Sequence, residues 1–188
     1  MEFEVLLKKR RSIREFQEKE VPLDTIKDVI REACLAPSSG NGQPWQFIIV
    51  KQKDTMKRLS DESKRSLLSD LAQNPDSPVK KYEDILRNED FNVFYNAPSL
   101  VYVIGPKDHR LLDVDCALFA CYFMLCAVAR GLGTCWIGLG TNIRNSNIRR
   151  EIGMPGDCRI VAPIVIGYPK NIPEPSERSE AKILKVIS

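Results

Sequence analysis

The chain has 188 residues, of which 43% are hydrophobic and 28% charged, and its formal net charge is +3. This length suits one domain with a core of its own, over 1–188. The small charge, spread among acidic residues, gives little support to nucleic-acid binding. No run approaches the roughly 18 uninterrupted apolar residues that a membrane-spanning helix needs, so we expect no membrane association.

The N-terminus has no basic region followed by an apolar stretch, so nothing indicates export and we expect a cytoplasmic protein. The six cysteines include no Cys-x-x-Cys pair, and thiols in apolar runs behave as small hydrophobic groups. Cys116, Cys121 and Cys126 are spaced by five residues, so on a helix they cannot converge on one metal ion. We therefore expect reduced structural thiols and no metal site, with a thiol-based redox sensor as an alternative.

A cluster of basic residues follows the first predicted helix. Phe3, Leu6 and Leu7 form the apolar side of that helix, and five of the seven residues at 8–14 are cationic. These cations could simply solvate a surface and complement the helix dipole. Alternatively, the guanidinium groups and the Ser12 hydroxyl could hold a phosphate or the electron-rich edge of a heterocycle.

A second helix is predicted to begin near Pro22 and to end before Pro37. The loop at 36–45, called the Ser-rich loop below, then reads Ala-Pro-Ser-Ser-Gly-Asn-Gly-Gln-Pro-Trp. Its glycines allow positive φ and close backbone approach, and its hydroxyls and amides offer both donors and acceptors. This loop is either an ordinary connection or a ligand-binding loop. The residues that follow, at 46–50, predict a buried strand.

The segment 54–96 is polar and helix-prone, and its partial leucine stripe predicts a helical flap over the core. The aromatic residues near its end could belong to the core or to a lid over a flat ligand. A second buried strand is predicted at 100–105. The segment 113–130 is apolar on nearly every side, which predicts a helix buried all round and covered in part by a second subunit.

The last third of the chain alternates turns with apolar runs. Gly131 suits a left-handed helix cap, and a short strand is predicted to open into a glycine-rich turn near Gly138. This region lacks the dinucleotide-binding fingerprint, because it follows a helix and has Trp136 where the third glycine would stand.

Two further elements are predicted beyond that turn. Asn145 is placed to cap a short helix, and 159–167 is predicted to form the last core strand. The composition then shifts, and 171–188 reads as an extended C-terminal arm with a strand candidate at 183–187.

Several motifs, taken in chain order, together resemble the nitroreductase family of flavoproteins over nearly the whole chain. They are Arg10-Arg11-Ser12-Ile13-Arg14-x-Phe16, Ala36-Pro37-Ser38-Ser39-x-Asn41-x-Gln43-Pro44-Trp45, Asn96-Ala97-Pro98, Gly131-Leu132-Gly133 and the arm around Arg178. The resemblance implies an α+β fold with a central mixed, mainly antiparallel sheet flanked by helices. It also implies an intertwined homodimer with C-terminal arm exchange, two FMN molecules at the subunit interface, and NADH or NADPH as electron donor.

The resemblance assigns cofactor-binding roles to four parts of the chain. The first basic motif matches contacts to the FMN phosphate and pyrimidine edge, and the Ser-rich loop reaches the flavin, generally from the other subunit. Backbone amides in the glycine-rich turn match the reactive flavin edge, and the arm supplies a phosphate ligand. The full set is Arg10, Arg11, Ser12, Arg14, Pro37, Ser38, Ser39, Asn41, Gln43, Ile137, Gly138, Leu139 and Arg178.

No acid or base side chain is implied as catalytic, because FMN carries the chemistry. A further pyrimidine contact could come from Lys64, from Arg65 or from neither. The leading hypothesis is an FMN-dependent NAD(P)H oxidoreductase acting on nitroaromatics or quinones by a ping-pong mechanism. The alternatives are flavin destruction, dehalogenation or enone reduction within the same fold, and a flavin-sequestering module without useful turnover.

Overall fold

A computed structural model describes residues 2–187 and contains four strands and six α-helices within that range. The strands span Gln46–Val50 (β1), Ser99–Pro106 (β2), Gly133–Trp136 (β3) and Cys158–Gly167 (β4). The α-helices span Phe3–Lys9 (α1), Leu23–Ala33 (α2), Lys53–Gln73 (α3), Glu83–Arg87 (α4), Leu112–Ala129 (α5) and Ser146–Glu151 (α6). Short 3-10 turns span Ser39–Asn41, Pro78–Tyr82 and Gly138–Thr141.

The strands form one sheet in the order β1-β2-β4-β3, and every strand pairing in it is antiparallel. The two central strands, β2 and β4, are buried along almost their whole length. They read as continuous apolar runs because both faces of the sheet are covered. The predicted α+β fold and the positions of the three core strands are confirmed, and the parallel contribution is a single bridge between Ser12 and Thr134.

Two apolar layers cover the two faces of the sheet. Alternate residues of β2 point to opposite faces: Val101 and Val103 pack with α2 and α5, whereas Leu100 and Tyr102 pack with residues of α3 and the loop before β2. Phe94 lies edge-on to the ring of Tyr102 in this second layer. Of the aromatic residues left open by the sequence, Phe94 is therefore a core residue.

Helix α5 is the most apolar long helix among the described residues, and its sides differ in burial. The side against the sheet and α2 buries Leu112, Asp115, Cys116, Phe119, Ala120, Phe123 and Ala127. The other side leaves Val114, Leu118 and Tyr122 exposed, Val114 to 57%. The single chain therefore buries one side of α5, because the one sheet and α2 can cover only that side, and cover of the other side by a second subunit stays a prediction.

By length and mean hydropathy alone, 1.9 over 18 residues, α5 would also suit a membrane span. Within residues 2–187 it is the one helix of which this is true. In the structure it packs along the sheet and α2, and two acidic residues lie in its first turn.

Helix α3 is a core helix, more deeply placed than the flap that the sequence predicts for 54–96. Met56 and Leu59 pack under the sheet, and several polar residues of the same helix are also buried, including Ser60, Glu62 and Ser63. These buried polar residues explain why the apolar stripe of α3 is weak. They lie on the buried side of the helix, and their side chains bind loop backbones instead of facing solvent.

The C-terminal arm leaves the domain after Lys170, whose amide donates to the Glu15 carbonyl at 2.9 Å. The described residues beyond it form no strand within this chain, and Ile183 to Ile187 are exposed, Ile187 to 86%. The predicted strand at 183–187 therefore has no partner in its own chain. Ser188 lies outside the described residues.

The extended segment after α1 is fixed along β3 by close packing at Gly133. A Cβ atom at this glycine would lie 2.6 Å from Cγ1 and 2.9 Å from Cβ of Ile13. We expect Gly133→Ala to destabilise the protein by about 1 to 3 kcal/mol, since either β3 or the segment must move.

Urea unfolding checks this prediction against Gly156→Ala, where an added Cβ meets nothing within 4 Å. The control should change the free energy of unfolding by less than about 1 kcal/mol. Equal effects at the two glycines would contradict the close approach at Gly133.

Candidate functional site

The basic motif lies in an extended segment held against the open edge of β3. Ser12 bridges Thr134, and the Ile13 amide donates to the Thr134 carbonyl at 2.9 Å. Ile13 is buried. Since side chains alternate along an extended chain, Ser12 and Arg14 project to the side opposite Ile13. The predicted residues Ser12 and Arg14 are thus presented together.

The arginines of this segment differ in their contacts. Among residues 2–187, neither Arg10 nor Arg14 forms a salt bridge with a carboxylate. The Arg14 guanidinium lies 5.8 Å from the ring centre of Tyr95. Burial raises the pKa of Cys135, and the nearby charges of Arg14 and Arg10 oppose that rise. Two cations that form no salt bridge within the described chain thus act on one region.

Arg11 has a different position. Its Nη1 donates to the Arg10 carbonyl at 2.6 Å, and its Nε is buried without a partner among the described residues. The guanidinium is therefore engaged in part by its own backbone, which sets it apart from Arg14.

The turn at Gly138–Thr141 presents free backbone amides. Ile137 is buried, and its amide donates to the Pro163 carbonyl at 2.8 Å. The amides of Gly138 and Leu139 open a 3-10 helix and so have no acceptor inside it. A Cβ atom at Gly138 would meet nothing within 4 Å, so there is open space beside this glycine.

Polar side chains of α3 fix this turn from below. The Ser63 hydroxyl donates to the Leu139 carbonyl, and the buried Glu62 carboxylate accepts from the amides of Arg144 and Asn145 at 3.2 and 2.8 Å. Burial of a polar group is costly without a partner, and here each group finds one on a loop that borders the turn. Asn145 also caps α6, as predicted.

Lys64 and Arg65, left open by the sequence, serve other contacts. Lys64 is 8% exposed, and its ammonium group donates to the carbonyls of Asn88, Glu89 and Phe91 at 2.7, 3.3 and 3.0 Å. All three of its protons are used. Arg65 is mostly exposed and pairs with Glu62 at 3.5 Å. Lys64 therefore has no proton left for a ligand, whereas Arg65 is engaged at one nitrogen only.

A cavity of about 840 Å³ lies beside Arg14. It is bordered by 14–18, by the first turns of α3 and by 89–98. Tyr95 and Asn96 in its wall have φ of 55° and 50°, which ordinary side chains seldom adopt. Such backbone conformations concentrate at ligand sites, although sequence reasoning singled out Tyr95 only as core or lid.

The Ser-rich loop has a defined shape at the other end of the sheet. Gly40, Asn41 and Gln43 all have positive φ, between 44° and 56°. The Ser38 hydroxyl accepts from the Gln43 amide at 3.0 Å, and the Ser39 amide donates to a carboxyl oxygen of α5 at 2.9 Å. Pro37 and most other loop residues are exposed.

The basic segment and the Ser-rich loop lie far apart within one chain. Ser12 bridges Thr134, which stands level with Ser99 at the start of β2. Gln46, at the end of the loop, pairs with Ile104 near the other end of β2. Standard strand spacings separate Ser12 from Gln46 by about 19 Å across the sheet and by about 17 Å along the strands. The structure therefore brings Arg10, Ser12 and Arg14 together, but not with the loop.

Arg178 is separated from both groups by its position on the exposed arm. It makes no salt bridge with another described residue. Its predicted role as a phosphate ligand stays a prediction.

The cysteines are free thiols, and most are poorly suited to redox sensing. Burial raises the pKa of Cys34, Cys126, Cys135 and Cys158, which disfavours the reactive thiolate. Cys121 is the exposed one. Within residues 2–187, no group of three His, Cys, Asp or Glu side chains converges to hold a metal ion.

A sequence model of the Nitroreductase family matches residues 7–168. The chain belongs to the nitroreductase family. The matched range includes the basic segment, the Ser-rich loop and the glycine-rich turn, so the predicted family is confirmed, while the arm around Arg178 lies outside that range.

Individual members of the nitroreductase family agree with this assignment. A candidate NAD(P)H nitroreductase of Bacillus subtilis, YfhC, is 27% identical over 184 residues, covering 93% of this chain and 88% of that protein. An iodotyrosine deiodinase of Thermotoga neapolitana is 27% identical over 174 residues, covering 90% and 89%. An FMN-bound nitroreductase of Bacteroides fragilis is 21% identical and superposes with a TM-score of 0.82, covering 100% and 99%.

Sequence reasoning missed how α3 holds the loops of the candidate site in place, because it considered Lys64 only as a ligand contact and did not single out Ser63 or Glu62. Ser63, Glu62 and Lys64 bind loop backbones from within α3. The only indication of these residues in the sequence is a run of polar residues within a helical pattern, and such a run also fits a solvated helix surface. Only the position of the loops, set by tertiary structure, distinguishes the two.

Proposed function

We propose that this protein is an FMN-dependent oxidoreductase that takes electrons from NADH or NADPH and passes them to an electron-poor acceptor by a ping-pong mechanism. Nitroaromatics and quinones are the proposed acceptor class. The observation that carries the proposal is a chain of this family in which Arg10 and Arg14 lack carboxylate partners among the described residues, and in which the amides of Gly138 and Leu139 begin a 3-10 turn and have no acceptor inside it.

The residues present fit FMN on chemical grounds. Arg14 and Arg10 can bind a phosphate or the oxygens of the pyrimidine edge by charge-assisted hydrogen bonds. Ser12 adds a hydroxyl donor beside them. The chain lacks a dinucleotide fingerprint that would hold an adenylate half, so FMN is favoured over FAD.

FMN, when bound, would accept a hydride from the nicotinamide and return electrons to the acceptor. The protein's own task is to bind the cofactor and to tune the reactivity of its ring. Fixed amides at Gly138 and Leu139 would donate to the reacting edge of the ring, and a guanidinium near the pyrimidine would stabilise negative charge that develops there. No acid or base side chain is required in this scheme.

The separation of the two groups within one chain supports a homodimer with a shared site. The loop around Ser38 can reach the ligand held at Arg14 only if it comes from a second copy, given the distance of more than about 20 Å across and along the sheet. The exposed side of α5, with Val114, Leu118 and Tyr122, supplies an apolar surface that such a partner would cover.

The proposed function is tested by the cofactor and its turnover. Purified protein should show an oxidised flavin spectrum, and the supernatant after denaturation should contain FMN in stoichiometric amount. NADH or NADPH oxidation should then depend on a nitroaromatic or quinone. Recovery of FAD or of no flavin would contradict the proposal, and bound FMN without turnover would favour the sequestering module.

Arg14→Ala should weaken FMN binding more than Arg11→Ala. A charge-assisted hydrogen bond is worth about 1.5 to 3 kcal/mol, which is roughly tenfold or more in affinity. Arg11 is the matched control, since its guanidinium already donates to the Arg10 carbonyl. Flavin titration of the two variants measures the difference, and equal small losses would favour a solvated basic patch.

The C-terminal arm is proposed to cross to the partner, add its strand at 183–187 to that sheet and bring Arg178 to a phosphate. Edge strand β1 is the outer strand opposite β3 and has no neighbour on its open side within the described chain. An isolated strand is unstable unless it pairs.

A chain that ends at Lys170 should therefore dissociate more readily and lose flavin. Both effects are expected together because the site is shared between subunits. Sedimentation and flavin absorbance measure them on one sample. A truncated protein that stays dimeric with full FMN occupancy would show that the arm contributes neither to the dimer nor to the flavin site.

A second candidate function is reductive dehalogenation of an aromatic substrate. It is favoured by the relatives named iodotyrosine deiodinase, from Thermotoga neapolitana and from Homo sapiens. Iodide release from 3-iodotyrosine with reduced enzyme distinguishes it from nitroreduction. The same FMN site serves both reactions, so the variants above test either one.

A further inference from the structure

Asp115 is a buried acid in the first turn of an apolar helix. It is 1% exposed. Its Oδ1 accepts from the Ser39 amide at 2.9 Å, whereas its Oδ2 has no hydrogen-bond partner among residues 2–187. A carboxyl group with an unpaired oxygen in the core lowers stability, and an apolar side chain there would not carry that penalty. The fold alone gives little reason for an acid at this position.

The contact that Asp115 does make reaches the Ser-rich loop across 76 positions of sequence. The loop is exposed between the buried anchors Ala36 and Trp45. Its remaining hydrogen bonds, such as Asn41 amide to Ser38 carbonyl and Gln43 amide to Ser38 hydroxyl, are internal to it. Internal bonds give the loop its shape but do not fix where that shape sits on the domain.

Asp113, two residues earlier, shows that an acid in this helical turn need not be buried. It is exposed and forms two hydrogen bonds, both 2.7 Å, with the Arg159 guanidinium. Both acids are near the positive end of the α5 dipole, which favours them about equally. Asp115 differs from Asp113 in one respect that matters for the loop, namely its bond to the Ser39 amide.

Helix α5 contains no cationic residue that could pair with the Asp115 carboxyl group. Burial, together with Asp115 and Asp113, raises the pKa of the adjacent Cys116 thiol to about 12, so this thiol stays neutral. The Ser39 amide is thus the polar group that the Asp115 carboxyl group engages.

We propose that Asp115 is a positioning residue that fixes the Ser38–Gln43 loop so that the loop can contact the flavin bound to the partner subunit. The inference rests on the proposed function. It adds a residue from the middle of the chain to a site otherwise assigned to exposed motifs. Asp115 acts through the loop and does not itself touch the flavin.

The experiment measures amide hydrogen exchange and FMN affinity in the full chain for Asp115→Leu, Asp115→Asn and the control Asp113→Asn. In Asp115→Leu, exchange at Ser39 should accelerate by about tenfold or more, since a hydrogen bond to an ionisable group is lost. Exchange in β2, at Val101 and Val103, should stay near the wild-type rate. FMN affinity should fall by about tenfold.

The conservative variant Asp115→Asn keeps an acceptor oxygen and should lie between wild type and Asp115→Leu in both measurements. Asp113→Asn breaks an exposed ion pair on the same helix and should leave Ser39 exchange and FMN affinity unchanged. This pattern, together with unchanged exchange in β2, is what a loss of global stability would not produce.

Three results would overturn the inference. Ser39 exchange could be unchanged in Asp115→Leu, FMN affinity could be unchanged although the loop exchanges faster, or β2 could lose protection as much as Ser39. Equal loss of protection in β2 would mean that Asp115 stabilises the whole fold and not the loop alone. Absence of FMN from wild-type protein would instead overturn the proposed function, and Ser39 exchange would still report whether Asp115 anchors the loop.

Discussion

The antiparallel register of the four strands is the constraint on which the site depends. It places the basic segment outside β3 and the Ser-rich loop before β1, at opposite edges and opposite ends of one sheet. A rigid sheet cannot bend these two groups toward one another. A small ligand that needs both must therefore draw them from two chains, and the exposed apolar side of α5 provides a surface on which such chains could meet.

The same structure shows how a small domain holds several exposed loops in place. Helix α3 lies in the core, yet Ser60, Glu62, Ser63 and Lys64 each bind the backbone of a loop near the candidate site. Buried polar groups that are fully paired rigidify what they contact. The turn at Gly138 is thus held in place by the buried part of α3, and Asp115 has a comparable relation to the second loop.

The strands and α5 could be predicted from sequence because their signals are local. Runs of β-branched residues at 46–50 and 159–167 indicate buried strands wherever the chain places them, and Gly131 adopts the left-handed conformation expected of a helix cap. The basic motif and the loop motif were also found, since their residue types are unusual at such density. Which motifs meet is a different question, because it depends on strand order.

The burial of the polar residues of α3 and of Asp115 could not be predicted, for a physical reason. A polar side chain in a helix signals solvent unless a partner is known, and the partners here are carbonyls and amides from residues tens of positions away. How α5 is covered could not be predicted for the complementary reason. Apolar residues indicate that a surface should be covered, but not whether the same chain or another one covers it.

The central claim, that one ligand site is built from two chains, is tested most directly by mixing two defective variants. One carries Arg10→Ala with Arg14→Ala, and the other carries Ser38→Ala with Asn41→Ala. Each alone should bind FMN poorly at both sites. Random mixed dimers should regain one intact site each, so that about one quarter of all sites recover wild-type affinity in a flavin titration. A mixture that binds no better than the average of the two pure variants would contradict the shared site.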